Sequence, residues 1–173
     1  MARFLFVVPP LVGHVNPTLS VAGELQAHGH YVAWVGYREV VAPRLPDGAH
    51  FFGIDTQVAR EDLAIFGEKA MSLRGFAALE FLWGEIVPRM ARDMIPGVRE
   101  AVHTYQPSVL VVDRQALAGA LVARTSGLPW ATFATTSADR RECLGDFPKV
   151  LDWTDDRLRE LQLVGLRLVV SGP

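Results

Sequence analysis

The sequence predicts an α/β domain in which a doubly wound, Rossmann-like parallel sheet carries helices on both faces. Three observations predict it. Strand and helix patterns alternate β-α-β-α-β within the first 55 residues, a second strand set opens at residue 107, and the strand-like runs are continuously apolar rather than alternating. Such alternation requires right-handed crossovers between parallel strands, and a sheet covered on both faces buries its strands on both sides.

The elements follow in order. "RFLFVV" (3–8) is short and rich in β-branched and aromatic residues, the pattern of a buried first strand. "NPTLSVAGELQAHG" (16–29) reads as a helix with Asn16 as N-cap, Pro17 at the first helical position and Gly29 closing the end in a left-handed conformation. Leu19, Ala22 and Leu25, with Val21, form its expected buried stripe. "HYVAWVG" (30–36) is the second strand, residues 37–44 a short helix, and "HFFGI" (50–54) the third strand. Strand character is then missing from 60 to 104. Leu79, Leu82, Ile86, Met90, Met94 and Val98 recur there at helical spacing, with Pro88 and Pro96 expected to kink or restart the helix. "PSVLVVD" (107–113) is the fourth strand, "QALAGALVARTSG" (115–127) a helix stopped by Gly127 and Pro129, and "PWATFAT" (129–135) the fifth strand. Residues 137–147 read as loop, 148–162 as helix and "LRLVVSGP" (166–173) as a last strand. Repeats, linkers and low-complexity tracts are lacking, so residues 1–173 read as one domain.

Composition excludes several classes. The chain of 173 residues is half hydrophobic and 21% charged, as in globular proteins, and its net charge of −2 points to neither nucleic acid nor an anionic membrane as partner. A single cysteine, Cys143, excludes an internal disulfide and fits a reducing compartment. The uncharged run from Phe4 to Gly23 is interrupted by three prolines, His14 and Asn16, and its apolar core is far shorter than the ~20 residues a spanning helix needs. A small-residue cleavage site after a clean apolar segment is also lacking, so the expected location is cytoplasmic.

The loop after the first strand, "PPLVGH", carries one glycine and two prolines. It therefore fails the three-glycine dinucleotide fingerprint, and it has neither a P-loop lysine nor a Gly-x-Ser-x-Gly elbow. No carboxylate stands there to hold Mg²⁺, and the His and Cys spacings match no zinc site. What the loop does hold is His14.

A doubly wound sheet in the order 3-2-1-4-5 sets its first and fourth strands side by side, and ligands bind where the crossovers diverge beyond their carboxyl ends. That places His14 beside Asp113, the last residue of "SVLVVD". A carboxylate on one imidazole nitrogen fixes the tautomer and stabilises the cation formed when the other nitrogen takes a proton, which is the chemistry of a general base. From the residues alone an alternative stands beside this one: Asp113 caps the following helix and His14 is an ordinary loop residue.

The stretches "VGHVNPTLSVAGELQAHGHYVAWVG" and "QPSVLVVDRQALAGALVARTSGLPW" together resemble the N-terminal half of family-1 glycosyltransferases of the GT-B fold. They look most similar to the bacterial enzymes that decorate macrolides and other natural products, with Gly13-His14-x-x-Pro17 and Asp113 as anchors. The resemblance implies that His14 is the general base and that Asp113 orients it. It implies an inverting transfer from a nucleotide-diphosphate sugar to an acceptor hydroxyl, with no cofactor and no metal ion. It also implies a second, C-terminal domain carrying most of the sugar-nucleotide contacts, to which nothing in these 173 residues corresponds. The chain is then an N-terminal fragment, or one subunit of a split enzyme, that transfers little or no sugar alone.

Further candidates surround this pair. Gly13 adjoins the base. The aromatic stretch "GFAALEFLWGEIVPRM" offers Phe76, Phe81 and Trp83, with Phe66 just upstream, as walls of a lipophilic acceptor pocket, although side chains at helical spacing also build cores. Thr135, Thr136 and Ser137 follow a strand end on the same rim and offer hydroxyls to donor or acceptor, or form a turn. His28 and His30 read as complements of a helix C-terminus, and His50 and His103 have no chemical context. The competing functional reading is a non-catalytic Rossmann-like module that binds a ligand or serves as accessory subunit of a separate transferase.

Overall fold

A computed structural model describes residues 1–55, 72–73 and 76–135 of the protein. The described residues fall within one compact unit, Met1–Thr135. The loop, helix and strand expected beyond residue 136 lie outside the described residues.

Five parallel strands form one sheet: β1 (Arg3–Val7), β2 (Tyr31–Tyr37), β3 (His50–Ile54), β4 (Val109–Asp113) and β5 (Trp130–Phe133), in the order β3-β2-β1-β4-β5. The strand order matches the expectation from sequence, and the described strands and helices fall where the sequence places them, apart from the start of α1. The helices are α1 (Val12–Ala27), α2 (Arg38–Val41, continued by a 3₁₀ turn at Ala42–Arg44), α3 (Phe76–Phe81), α4 (Val87–Tyr105) and α5 (Leu117–Thr125). A π-helical turn, Leu82–Ile86, joins α3 to α4. Pro88 sits in the first turn of α4, the restart its position suggested, whereas Pro96 lies inside that helix. Among the described residues no helix is long and apolar enough to cross a membrane.

Alternation along the strands builds two cores. Leu5, Val7, Ala33, Val35, Leu110 and Val112 face α4 and α5, where Met94, Val98, Ala101 and Val122 meet them. Phe6, Val8, Val32 and Trp34 face α1 and α2, against Val15, Ala22 and Val41. Leu5, Phe6 and Val7 are fully buried, as a central strand covered on both faces requires. Helix α5 approaches the sheet through Gly119: an added Cβ would stand 2.8 Å from Val112 Cγ1 and 3.0 Å from Val7 Cβ.

Two expectations for α1 need correction. The helix begins at Val12 rather than after an Asn16 cap, and Pro17 lies within it. Leu11, in extended conformation, is the N-cap, and its carbonyl accepts the N–H groups of both His14 and Val15. Packing overrides the Asn-Pro signal: the early turns carry Val15 and Thr18, both fully buried. The buried stripe is accordingly Val15, Thr18 and Ala22, flanked by Leu19 and Leu25, while Val21 is exposed. Val21 precedes Ala22 by one residue, about 100° round the helix. The C-terminus follows expectation. Gly29 has φ 78°, the His30 N–H donates to Leu25 C=O and the Gly29 N–H to Gln26 C=O, the pair of bonds that closes a Schellman motif.

At the far end of α4, Tyr105 packs edge-on against His50 and Phe52, and its buried hydroxyl has no hydrogen-bond partner among the described residues. Burial pushes its ionisation up, opposed by the nearby Arg3. Three outcomes are expected in denaturation experiments. Gly119→Ala costs about 1–3 kcal/mol by overpacking, whereas Gly23→Ala, at a helix position with nothing within 4 Å of the new Cβ, adds about 0.5–1 kcal/mol. Tyr105→Phe removes an unsatisfied buried hydroxyl and stabilises by up to about 1–3 kcal/mol. A raised folded pKa means stability is lost as pH climbs past the ordinary tyrosine range, so the advantage of Tyr105→Phe grows at alkaline pH.

Candidate active site

The carboxyl ends of β1 and β4 converge on one polar pair. β1 pairs with β4 in the register Val7↔Val112, so Asp113 ends its strand beside the exit of β1. The chain leaving β1 turns through Pro9 and Pro10 into α1, whose third residue is His14. His14 Nδ1 lies 2.9 Å from Asp113 Oδ2, across 99 positions of sequence. The His14 side chain is 12% exposed and that of Asp113 1%.

The second alternative left open by the sequence, Asp113 as cap of the following helix and His14 as an ordinary loop residue, is not what the structure shows. Asp113 divides its oxygens: Oδ2 faces His14, while Oδ1 accepts the Gln115 N–H at 2.9 Å. The second bond shapes the turn before α5, together with Ala116 N–H donating to the Asp113 carbonyl. Asp113 is not the helix cap, since Ala116 is the N-cap of α5 and no side chain caps it. Nor is His14 a loop residue. It is anchored in the first turn of α1 by its own N–H bond to Leu11 C=O at 2.9 Å.

A carboxylate can only accept, so the hydrogen between the two groups belongs to Nδ1. In the neutral imidazole Nε2 then keeps its lone pair, and among the described residues no hydrogen bond reaches it. Thr135 Oγ1 also stands at Nδ1, 2.8 Å away. Thr135 follows β5, whose Phe133 is paired with Asp113 and whose carbonyl accepts the Arg114 N–H at 3.1 Å.

Beneath the first turn of α1 runs a buried polar relay that the sequence reading did not anticipate. Trp34 Nε1 donates to Thr18 Oγ1 at 3.0 Å, and the Thr18 hydroxyl donates to the carbonyl of Val15, the residue after His14, at 2.6 Å. An indole in a strand buried on both faces needs an acceptor, and that was the available signal.

The other candidates separate. Gly13 is exposed, and a Cβ there would meet open space, so the glycine leaves room beside His14. Phe81 is buried in the fold. Trp83, in the π-helical turn, lies under the Arg114 guanidinium at 5.4 Å and so is tied to the residue after Asp113. Burial lowers the Arg114 pKa, and the Asp113 charge opposes that shift. Phe76 opens α3 with its side chain outside the described residues, and Phe66, Thr136 and Ser137 lie outside them altogether. Three further histidines serve structure: His28 Nδ1 bonds Glu24 C=O, His30 Nδ1 accepts the Ala2 N–H, and His50 stacks on Phe52. A hollow of about 770 Å³ lined by Arg3, His30, His50 and Tyr105 lies at the opposite rim, where the strands begin.

A parallel sheet in this order with an imidazole–carboxylate pair at the β1/β4 crevice is a Rossmann-like domain with a polar pair where this fold class binds ligands. No family model matches the chain. It is 30% identical over 143 residues to 4'-demethylrebeccamycin synthase of Lentzea aerocolonigenes, covering 78% of this chain and 32% of that protein. It is 38% identical over 65 residues to demethyllactenocin mycarosyltransferase of Streptomyces fradiae, covering 36% and 14%. The fold matches the glycosyltransferase SnogD of Streptomyces nogalater with a TM-score of 0.58, 22% identity and coverage of 78% and 34%. Spinosyn rhamnosyltransferase SpnG, solved with spinosyn aglycone, matches with a TM-score of 0.54, 23% identity and coverage of 78% and 34%. The chain is thus similar to natural-product glycosyltransferases, and its sheet has the fold of one Rossmann-like half of the GT-B glycosyltransferases. It spans about a third of the length of the first of these curated relatives.

Thr18→Val strands the buried Trp34 N–H and frees the carbonyl next to His14. A loss of about 1–3 kcal/mol in unfolding free energy is expected, and Trp34→Phe in the same background recovers part of it in a double-mutant cycle.

Proposed function

We propose that this chain is the acceptor-binding, general-base half of an inverting glycosyltransferase. It moves a sugar from a nucleotide-diphosphate sugar to a hydroxyl of a small lipophilic natural product. The bond between His14 Nδ1 and Asp113 Oδ2 carries this reading, because it leaves Nε2 free to take a proton at the crevice where this fold class binds ligands. The acceptor hydroxyl yields its proton to Nε2 as its oxygen attacks the anomeric carbon. The bond from that carbon to the diphosphate breaks on the opposite side, the electron pair leaves with the diphosphate, and the anomeric configuration inverts. Asp113 stabilises the imidazolium so formed. Departure of the diphosphate needs no resident metal or cofactor in this reading.

Trp83, clamped by Arg114 beside Asp113, forms an apolar wall for the acceptor, and the open space at Gly13 gives it access. The donor is held by a C-terminal nucleotide-sugar-binding domain or a separate subunit beyond these residues, in the cytoplasm. Support comes from the relatives: SpnG was solved with thymidine diphosphate as well as with spinosyn aglycone, and one curated relative is named a mycarosyltransferase.

His14→Ala, tested with the donor-binding half present, should lower sugar transfer about 10²–10⁴-fold, the usual contribution of a general base. Acceptor affinity, measured by calorimetry on the chain, should stay near the wild-type value. Undiminished turnover in His14→Ala refutes the assignment.

A further inference from the structure

The contact between His14 and Thr135 is not accounted for by a two-membered catalytic pair. One nitrogen, Nδ1, has two oxygens within hydrogen-bond distance: Asp113 Oδ2 at 2.9 Å and Thr135 Oγ1 at 2.8 Å. Nδ1 carries a single hydrogen. Were the threonine hydroxyl to donate to Nδ1 instead, the nitrogen lone pair would face the carboxylate at 2.9 Å with no proton between them, a repulsive arrangement. The consistent assignment is a three-centre bond in which Nδ1–H is shared by both oxygens and the threonine keeps its own proton for another acceptor.

We infer that Thr135 is a positioning residue for the base. It acts through His14, and the inference rests on the reading of His14 as that base. With Asp113 as sole acceptor, the imidazole can pivot about one N–H···O axis. A second acceptor, carried by the segment after β5 rather than by β4, restrains the ring from another direction. The strand register delivers it: Asp113 pairs with Phe133, and the chain continues two residues further to set the Thr135 hydroxyl over the same nitrogen. Partial burial of Thr135 shelters the shared hydrogen from water.

The test uses this chain with ¹⁵N-labelled histidine and follows the His14 Nδ1–H signal and its exchange with solvent. Thr135→Val keeps the side-chain shape and removes the oxygen, and Thr135→Ser keeps the oxygen and removes the methyl. Exchange should quicken about fivefold in Thr135→Val, the effect of losing one neutral hydrogen bond. Thr135→Ala, a second oxygen-free variant, should match it, and Thr135→Ser should stay close to wild type. A merely packing role gives the reverse order, with Val silent and Ser altered, and that result overturns the proposal. Asp113→Asn separates the two readings. If it abolishes the protected Nδ1–H while Thr135→Val changes nothing, Thr135 has no positioning role and the His14–Asp113 pair stands. If wild-type His14 carries its hydrogen on Nε2, both readings fall.

Discussion

The parallel pairing of β1 with β4 is the constraint on which the rest of the site depends. His14 and Asp113 are 99 positions apart and meet only because the two strands they follow are neighbours in register. β1 is the innermost strand, with Leu5, Phe6 and Val7 fully buried, so its position is set by packing on both faces and by its backbone ladders to β2 and β4, not by the His14–Asp113 contact. The apolar core thus does the placing, and the polar groups inherit their geometry from it. A slip of β4 by one residue would turn Asp113 to the other face of the sheet and dissolve the pair.

Burying a carboxylate to 1% exposure is costly unless its oxygens are bonded. Asp113 meets that requirement by dividing them, one to the imidazole and one to the turn that leads into α5. The same residue therefore orients the candidate base and shapes its own loop, so the turn chemistry and the site chemistry cannot vary independently. On the other side of His14, the Trp34–Thr18–Val15 relay ties the first turn of α1 to β2. The imidazole stands on a helix end held from the sheet below and from a strand end beside it, the kind of rigid support a proton-transferring group needs.

Legibility in the sequence differed from element to element for physical reasons. The strands were readable because a sheet covered on both faces demands continuous apolar runs, and Gly29 and Gly127 were readable as helix stops because each adopts positive φ. The start of α1 was not. Asn16-Pro17 is a strong local signal for a helix start, but burial of Val15 and Thr18 outweighs it and draws the helix back to Val12, carrying His14 with it. Trp83 and Phe81 lie two residues apart in one aromatic stretch, yet one is buried and the other faces Arg114. Residues two apart stand about 200° apart round a helix, so the split itself fits helical geometry. What the sequence did not show is which of the two faces inward; the π-helical turn that begins at Leu82 shifts the faces beyond it.

By itself the sequence determined the order of strands and helices, the doubly wound topology and the neighbourhood of His14 and Asp113, because hydrophobic period and crossover handedness leave few other arrangements. The tertiary structure alone decided how the contacts are shared: which carboxylate oxygen serves the histidine, which serves the turn, and that a threonine 121 positions away shares the same nitrogen. Those are matters of a few tenths of an ångström between side chains on separate strands. Pattern along a chain carries no such distances; packing in three dimensions does.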